Sequence, residues 1–236
     1  MKLDFSNERI LTVVAHPDDA ELLCAGTLAR AKIDGAAIGI CVLCNGDKGQ
    51  PIKPIKNLAV VRRKEMTVAT NLLGAKLFLG GFSDSTLCDD QTHRATLIEI
   101  FRQFRPTLVL AHSPEDYHSD HRAASALAEN ASWSCASRGY KTKSPPVASP
   151  PALWWMDTVN MSGFLPEFFV DISAHAKLKQ QMLACHKSQL ARGAEGAFSP
   201  LSELMQMQYS ARGMQADVSA AEAFRSHHAF KRARAW

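Results

Sequence analysis

No apolar run in this 236-residue sequence reaches the roughly 18 residues that a membrane-spanning helix needs. The polar stretch Met1 to Glu8 leads straight into the first apolar run without a signal-peptide pattern, so the chain is expected in the cytoplasm with no stable membrane insertion. Six cysteines are too few at this length for a disulfide framework. Cys24, Cys135 and Cys185 fall in helical-looking text. Cys41 and Cys44 lie in a strand-like run, where residues three apart point to opposite faces, so buried thiols are expected. No internal repeat, low-complexity tract or long linker divides the chain, and one domain over residues 1–236 is expected. Charge of one sign is also scarce. The net charge is +4, and residues 225–236 hold Arg225, Lys231, Arg232 and Arg234 with no acid. Without those four, 23 basic residues face 23 acidic ones. A neutral body excludes binding driven by nucleic-acid phosphates, and the basic tail reads as a solvated terminus.

What is present is ample apolar mass, 46% of the residues, laid out in alternating elements. Arg9 to Ala15 (RILTVVA) is a β-branched run and predicts a buried strand. Glu21 to Lys32 has helical spacing, and Ala36 to Leu43 predicts a second strand before the loop Asn45 to Gly49. Leu58 to Leu73 is an amphipathic helix stopped by Gly74. Lys76 to Leu79 reads as a short strand, Gly80 to Asp90 as loop, Arg94 to Phe104 as helix and Thr107 to Ala111 as strand. Ala123 to Cys135 follows as a helix, and four prolines between Pro145 and Pro151 break the pattern. Ala152 to Met156 and Phe168 to Ile172 predict strands, and Ser173 is the expected N-cap of a helix reaching about His186. The remainder is expected to be helical. This alternation implies a Rossmann-like α/β fold, a mainly parallel sheet flanked by helices, with the active site at the carboxyl ends of the strands.

The chemistry concentrates where two of those strands end. After the first comes Ala15-His16-Pro17-Asp18-Asp19-Ala20-Glu21. Acidic residues there can simply cap a helix, but that leaves His16 without a reason. After the Thr107 to Ala111 strand comes Tyr117-His118-Ser119-Asp120-His121-Arg122. His16 and His121 are 105 positions apart (121 − 16), yet a parallel sheet sets its strand ends side by side. Imidazoles and carboxylates brought together are the ligand set of zinc or a similar divalent ion. His16, Asp19 and His121 would supply three ligands. Asp18 would be free to take a proton from water, and Asp120 would orient His118 toward the substrate oxygen.

His16-Pro17-Asp18-Asp19 and His118-Ser119-Asp120-His121 resemble the two signatures of the PIG-L/LmbE-like deacetylases, with Ser119 where proline is usual. Arg62-Arg63-Lys64-Glu65, Gly81-Phe82-Ser83-Asp84, Asp171-Ile172-Ser173, His186-Lys187-Ser188-Gln189 and Ala221-Glu222-Ala223-Phe224 are similar to further family segments. The resemblance implies one divalent ion, most often Zn2+, held by His16, Asp19 and His121. It implies Asp18 as general base, His118 and Asp120 as a dyad assisting the tetrahedral intermediate, and Arg62 and Asp84 near the sugar. The activity implied is hydrolysis of an N-acetyl group from a small amino-sugar conjugate resembling N-acetylglucosamine. A homo-oligomer, as in relatives, stays open. So do an amidase acting on another acyl group and a non-catalytic binding module. His112 and His186 are expected behind the site, His227 and His228 in the solvated tail. Trp154 and Trp155 belong to the pocket or the core.

Overall fold

A computed structural model describes residues 4–194 and 200–229. The elements run β1 (Arg9–Val14), α1 (Asp19–Leu23), α2 (Ala25–Ile33), β2 (Ala37–Cys44), α3 (Leu58–Leu73), β3 (Lys76–Phe82), α4 (Gln91–Phe104) and β4 (Leu108–Ala111). They continue with α5 (Ser119–Ser134), β5 (Ala152–Met156), β6 (Phe168–Asp171), α6 (Ala176–Leu183), α7 (Lys187–Ala194), α8 (Leu201–Gln215) and β7 (Ala221–Ser226). The seven strands form one sheet in the order β3-β2-β1-β4-β5-β7-β6. β3, β2, β1, β4 and β5 are parallel, and β7 runs antiparallel between β5 and β6. The expected Rossmann-like architecture is present.

The sheet is buried on both faces, which is why β1 reads as an unbroken apolar run. Ile10 and Val14 join one core with α1, α2, α3, α6 and α8, while Leu11, Val13 and Ala15 join a second core with α4 and α5. β1 pairs with β2 on one side (Val13↔Cys41) and β4 on the other (Val13↔Ala111). The chain order reverses direction there, so a crevice opens beyond the carboxyl ends of β1 and β4.

Four departures from expectation have physical causes. The helix expected over Glu21 to Lys32 breaks at Cys24, where Glu222 accepts from the backbone N–H groups of Gly26 (2.9 Å) and Thr27 (2.7 Å). Lys179 donates to the Leu22 carbonyl (2.8 Å) and pairs with Glu222 (2.6 Å), so one buried ion pair caps both helix ends at the break. The last third is not all helical: Ala221–Ser226 completes the sheet as β7. β3 runs on through Gly80 and Gly81 to Phe82, residues expected in a loop. A Cβ at Gly80 would lie 2.7 Å from the Leu43 carbonyl oxygen, so glycine lets the two strands stay close. Ser173 does not cap a helix. Its hydroxyl donates to Asp171 (2.6 Å), and α6 begins only at Ala176.

The cysteines are free thiols, with Cys24, Cys41, Cys44 and Cys135 buried, Cys185 half-buried and Cys88 exposed. A register shift between Val42 and Cys44 turns Cys44 into the same core as Cys41, contrary to the simple alternation. Trp154 packs edge-on against Phe5 and Phe168, and Trp155 is buried, so both serve the core. Arg225 lies in β7 and pairs with Glu115 (2.8 Å). Lys231, Arg232 and Arg234 of the expected basic tail lie outside the described residues. Among the described residues no helix is long and apolar enough to cross a membrane.

Candidate active site

Where β1 ends, the chain turns sharply at Asp18, whose φ of 92° puts it in the left-handed region. Aspartate tolerates that conformation better than most residues, and such strain concentrates at functional sites. The turn separates the two adjacent carboxylates. Asp19 Oδ2 accepts the His16 backbone N–H (2.7 Å). Asp18 Oδ2 is buried with no hydrogen-bond partner. His16 and Asp19 converge through this turn, because α1 starts only at Asp19.

His121 arrives from the first turn of α5, beyond β4. His16 Nδ1 lies 3.2 Å from His121 Nε2 and 3.6 Å from Asp19 Oδ2, and His121 Nε2 lies 3.4 Å from Asp19 Oδ1. Donor atoms each about 2.1 Å from a tetrahedral ion stand about 3.4 Å apart, so these spacings fit a zinc-like centre. The outer ring nitrogens are fixed as metal-binding histidines require. His16 Nε2 donates to Asp120 Oδ2 (3.0 Å) and His121 Nδ1 donates to Asp116 Oδ1 (2.9 Å), which turns both inner nitrogens toward one point. Three carboxylates, Asp19, Asp116 and Asp120, thus surround two imidazoles, an excess of negative charge that suits a cation. Burial opposes a charged imidazole at both histidines. Asp120 and Asp19 nevertheless raise the His16 pKa far above its ordinary value, and Asp19 and Asp116 raise that of His121 to about 9.

The expected carboxylate–imidazole contact between Asp120 and His118 is absent. The Asp120 backbone N–H donates to His118 Nδ1 (3.1 Å), and its carboxylate serves His16 while accepting from the Ser85 N–H (2.7 Å). His118 is the N-cap of α5, and its Nδ1 is committed as an acceptor, so the proton of the neutral ring sits on Nε2. Burial, then His16 and His121, lower its pKa. Burial and Asp19 push the Asp18 carboxyl up to about 7.

Behind these groups, His112 stacks on His121 at 4.0 Å and its Nε2 lies 3.2 Å from Asp19, as expected of a supporting residue. His186 is buried with Nε2 3.4 Å from Glu21. Asp116 was missed by sequence reasoning. The available signal was the need of a ligating histidine for an outer carboxylate, and Asp116 stands five residues before His121.

The centre opens into a cavity of about 310 Å³, lined by His16, Asp18, Asp19, His118 and His121 at one part and by Arg62, Asp84 and other polar residues elsewhere. Arg62 is buried on α3. Its Nη2 donates to the Gly49 carbonyl (2.8 Å) and to Gln189, while Nε has no partner. Asp84 accepts from the N–H groups of Gly46 (2.8 Å) and Lys48 (3.0 Å), so it shapes the 46–48 loop as well as lining the cavity. Ser188 donates to Glu65 through its N–H (2.9 Å) and hydroxyl (2.6 Å), which docks α7 on α3 and brings Gln189 to Arg62. Lys48, Ser85, Tyr117, Gln189 and Arg192 also line the cavity; of these the sequence singled out only Tyr117 and Gln189, as members of the quoted segments. Four groups among the described residues have metal-like spacing, and three of them lie at this centre. The fourth, Cys88, Asp90 and His93, is accounted for by Asp90 capping α4 through the His93 N–H (2.9 Å).

A Rossmann-like sheet with two imidazoles and a carboxylate converging at its switch point defines the LmbE-like class of α/β proteins. The chain belongs to the PIG-L family, whose profile, described as GlcNAc-PI de-N-acetylase, matches residues 11–132. It is similar to the conserved Thermus thermophilus protein TT1542, at 32% identity and a TM-score of 0.79, over 92% of this chain and 93% of that one. A 1D-myo-inositol 2-acetamido-2-deoxy-alpha-D-glucopyranoside deacetylase of Mycobacterium sp. (strain KMS) is 29% identical over 84% of this chain and 80% of its own. A 4-oxalmesaconate hydratase of Pseudomonas putida is 27% identical over 76% and 73%.

Proposed function

We propose that the chain is a divalent-metal-dependent N-deacetylase, with zinc the fitting ion, that releases acetate from a small N-acetylglucosamine-like conjugate. The observation that carries this reading is the pair of outer contacts, Asp120 to His16 and Asp116 to His121, which aim two ring nitrogens and Asp19 at one point. His16, Asp19 and His121 would hold the ion. When bound, such an ion polarises a carbonyl and lowers the pKa of a water toward about 7.

The chain's own residues supply the rest. Asp18, buried and unpartnered beside the centre, takes the proton as water oxygen bonds to the acetamide carbon. The carbonyl oxygen gains charge, and the Nε2–H of His118 donates to it. The C–N bond then breaks, and the proton held by Asp18 passes to the leaving amine. Acetate and a free amino sugar result. Arg62 and Asp84 bound the space for the sugar, and the cavity is at the small end of ligand pockets, which favours a small conjugate over a polymer.

A second reading is hydration of an unsaturated carboxylate, supported by the hydratase relative and by the cationic side chains in the cavity. Acetate release from N-acetylglucosamine glycosides, abolished by chelator and restored by added zinc, supports the deacetylase. Loss of a dienoate's ultraviolet absorbance with no acetate release would replace it with the hydratase. Activity on neither class, with no bound metal, would leave a binding module.

A further inference from the structure

Two side chains on one face of α8 pin consecutive residues just beyond β5. Arg212 grips the Asp157 carboxylate with a two-point fork, Nε to Oδ2 (2.6 Å) and Nη2 to Oδ1 (3.0 Å). Gln208, one turn earlier, donates to the Thr158 carbonyl (2.8 Å). Asp157 Oδ1 also accepts the Thr158 N–H (2.9 Å), and all four residues are buried. The next residue reaches the metal centre. The Val159 N–H donates to Asp116 Oδ2 (3.1 Å), while Oδ1 of that carboxylate accepts from the His118 N–H (3.0 Å) and His121 Nδ1 (2.9 Å). A carboxylate turns easily about its last torsion, which is broad and roughly two-fold. Bonds to Oδ1 alone would let the plane of Asp116 rock, and the His121 ring with it. The Val159 N–H removes that freedom, and the α8 contacts at 157 and 158 fix where it points. A buried ion pair is a weak source of net stability, but its fork fixes direction as an apolar pair does not.

We propose that Arg212, with Gln208 beside it, is a positioning residue of the metal centre, aiming His121 through Asp157, the 157–159 backbone and Asp116; the ion itself rests on the reading above. Arg212 touches neither ion nor substrate and moves no proton. Lysine cannot replace it, since an ammonium offers no planar fork to the two Asp157 oxygens.

The test compares Arg212→Lys and Gln208→Met with Arg102→Lys. Arg102 is a buried guanidinium of α4, on the opposite face of the sheet, bound to the carbonyls of Cys135 (3.0 Å) and Ser137 (2.6 Å). Zinc affinity is read by dye competition. The His121 Nδ1–H proton is read by NMR of the metal-free protein carrying 15N-histidine. Arg212→Lys and Gln208→Met should each bind zinc about two- to thirtyfold more weakly, the range for substitutions that touch neither ligand. The His121 proton, on a side chain only 4% exposed, should exchange slowly in the wild type and faster in both variants. Arg102→Lys should lower the Tm yet keep both readings at wild-type values, which separates positioning from a general loosening of the fold. Adding Arg212→Lys to Asp116→Asn should cost little affinity beyond Asp116→Asn alone, because both act on the same contact to His121. Wild-type affinity and exchange in both α8 variants, equal losses in Arg102→Lys, or a fully additive double variant overturns the proposal. A wild type that takes up no zinc sinks the metal reading, and exchange of the His121 proton then decides the positioning role by itself.

Discussion

The Asp120 carboxylate lies 3.0 Å from Nε2 of His16, while the backbone N–H of the same residue binds His118 Nδ1 at 3.1 Å. One residue therefore fixes two imidazoles through two different groups. It turns His16 to present its Nδ1 and His118 to present its Nε2 proton. Asp116 does for His121 what the Asp120 carboxylate does for His16.

Asp120→Asn should accordingly weaken metal binding, because it replaces the charged acceptor that fixes the His16 ring with a weaker, neutral amide. Outer carboxylates of this kind are worth about 10–100-fold in metal affinity. Asp116→Asn should lose a similar factor through His121. Competition titration against a chelating dye reads both. Wild-type affinity in Asp120→Asn would remove His16 from the ligand set.

His118→Ala should keep its metal and lose turnover. Removing one donor to a developing oxyanion costs about 10²–10³ in rate. The test discriminates, since His118 shares with His16 and His121 a group whose donor atoms lie within 4.8 Å of one another. Loss of the ion from His118→Ala would make it a ligand.

The parts of the fold legible in the sequence were those with local causes. β1 and β4 are apolar runs, and α3 ends at Gly74, where φ is 64°. The break at Cys24 had no local signal, because Lys179 and Glu222 cause it from more than 150 residues away. β7 was missed for a related reason. Ala221 to Phe224 is made of short and helix-tolerant residues, and pairing with β5 and β6 on its two sides makes it a strand. At the site, residue types and strand ends brought His16, Asp18, Asp19, His118 and His121 to one cavity. The error lay in pairing Asp120 with His118. Residues two apart do not share a helix face, so the carboxylate at 120 turns away from its neighbour.

Lys179→Met should destabilise the protein strongly. It leaves Glu222 buried and charged without its partner, a defect that costs about 3–5 kcal/mol. Thermal unfolding should show the loss. Because the pair caps α1 and α2 beside Asp19, activity should fall at temperatures where the variant is still folded. Stability within about 0.5 kcal/mol of wild type, the range of ordinary surface changes, would refute this role.

The most direct measurement compares Asp18→Asn and Asp19→Asn for metal content and acetate release. Asp19 lies within 3.6 Å of the inner nitrogens of both His16 and His121, while Asp18 is turned away by its left-handed backbone and makes no hydrogen bond through Oδ2. Asp19→Asn should lose the ion, since a neutral amide oxygen is a poorer ligand than a carboxylate. Asp18→Asn should keep the ion and bind substrate, yet turn over about 10²–10⁴-fold more slowly, the usual contribution of a positioned base. Metal lost from Asp18→Asn and kept by Asp19→Asn would reverse the two roles, and near-wild-type acetate release from both would contradict the mechanism.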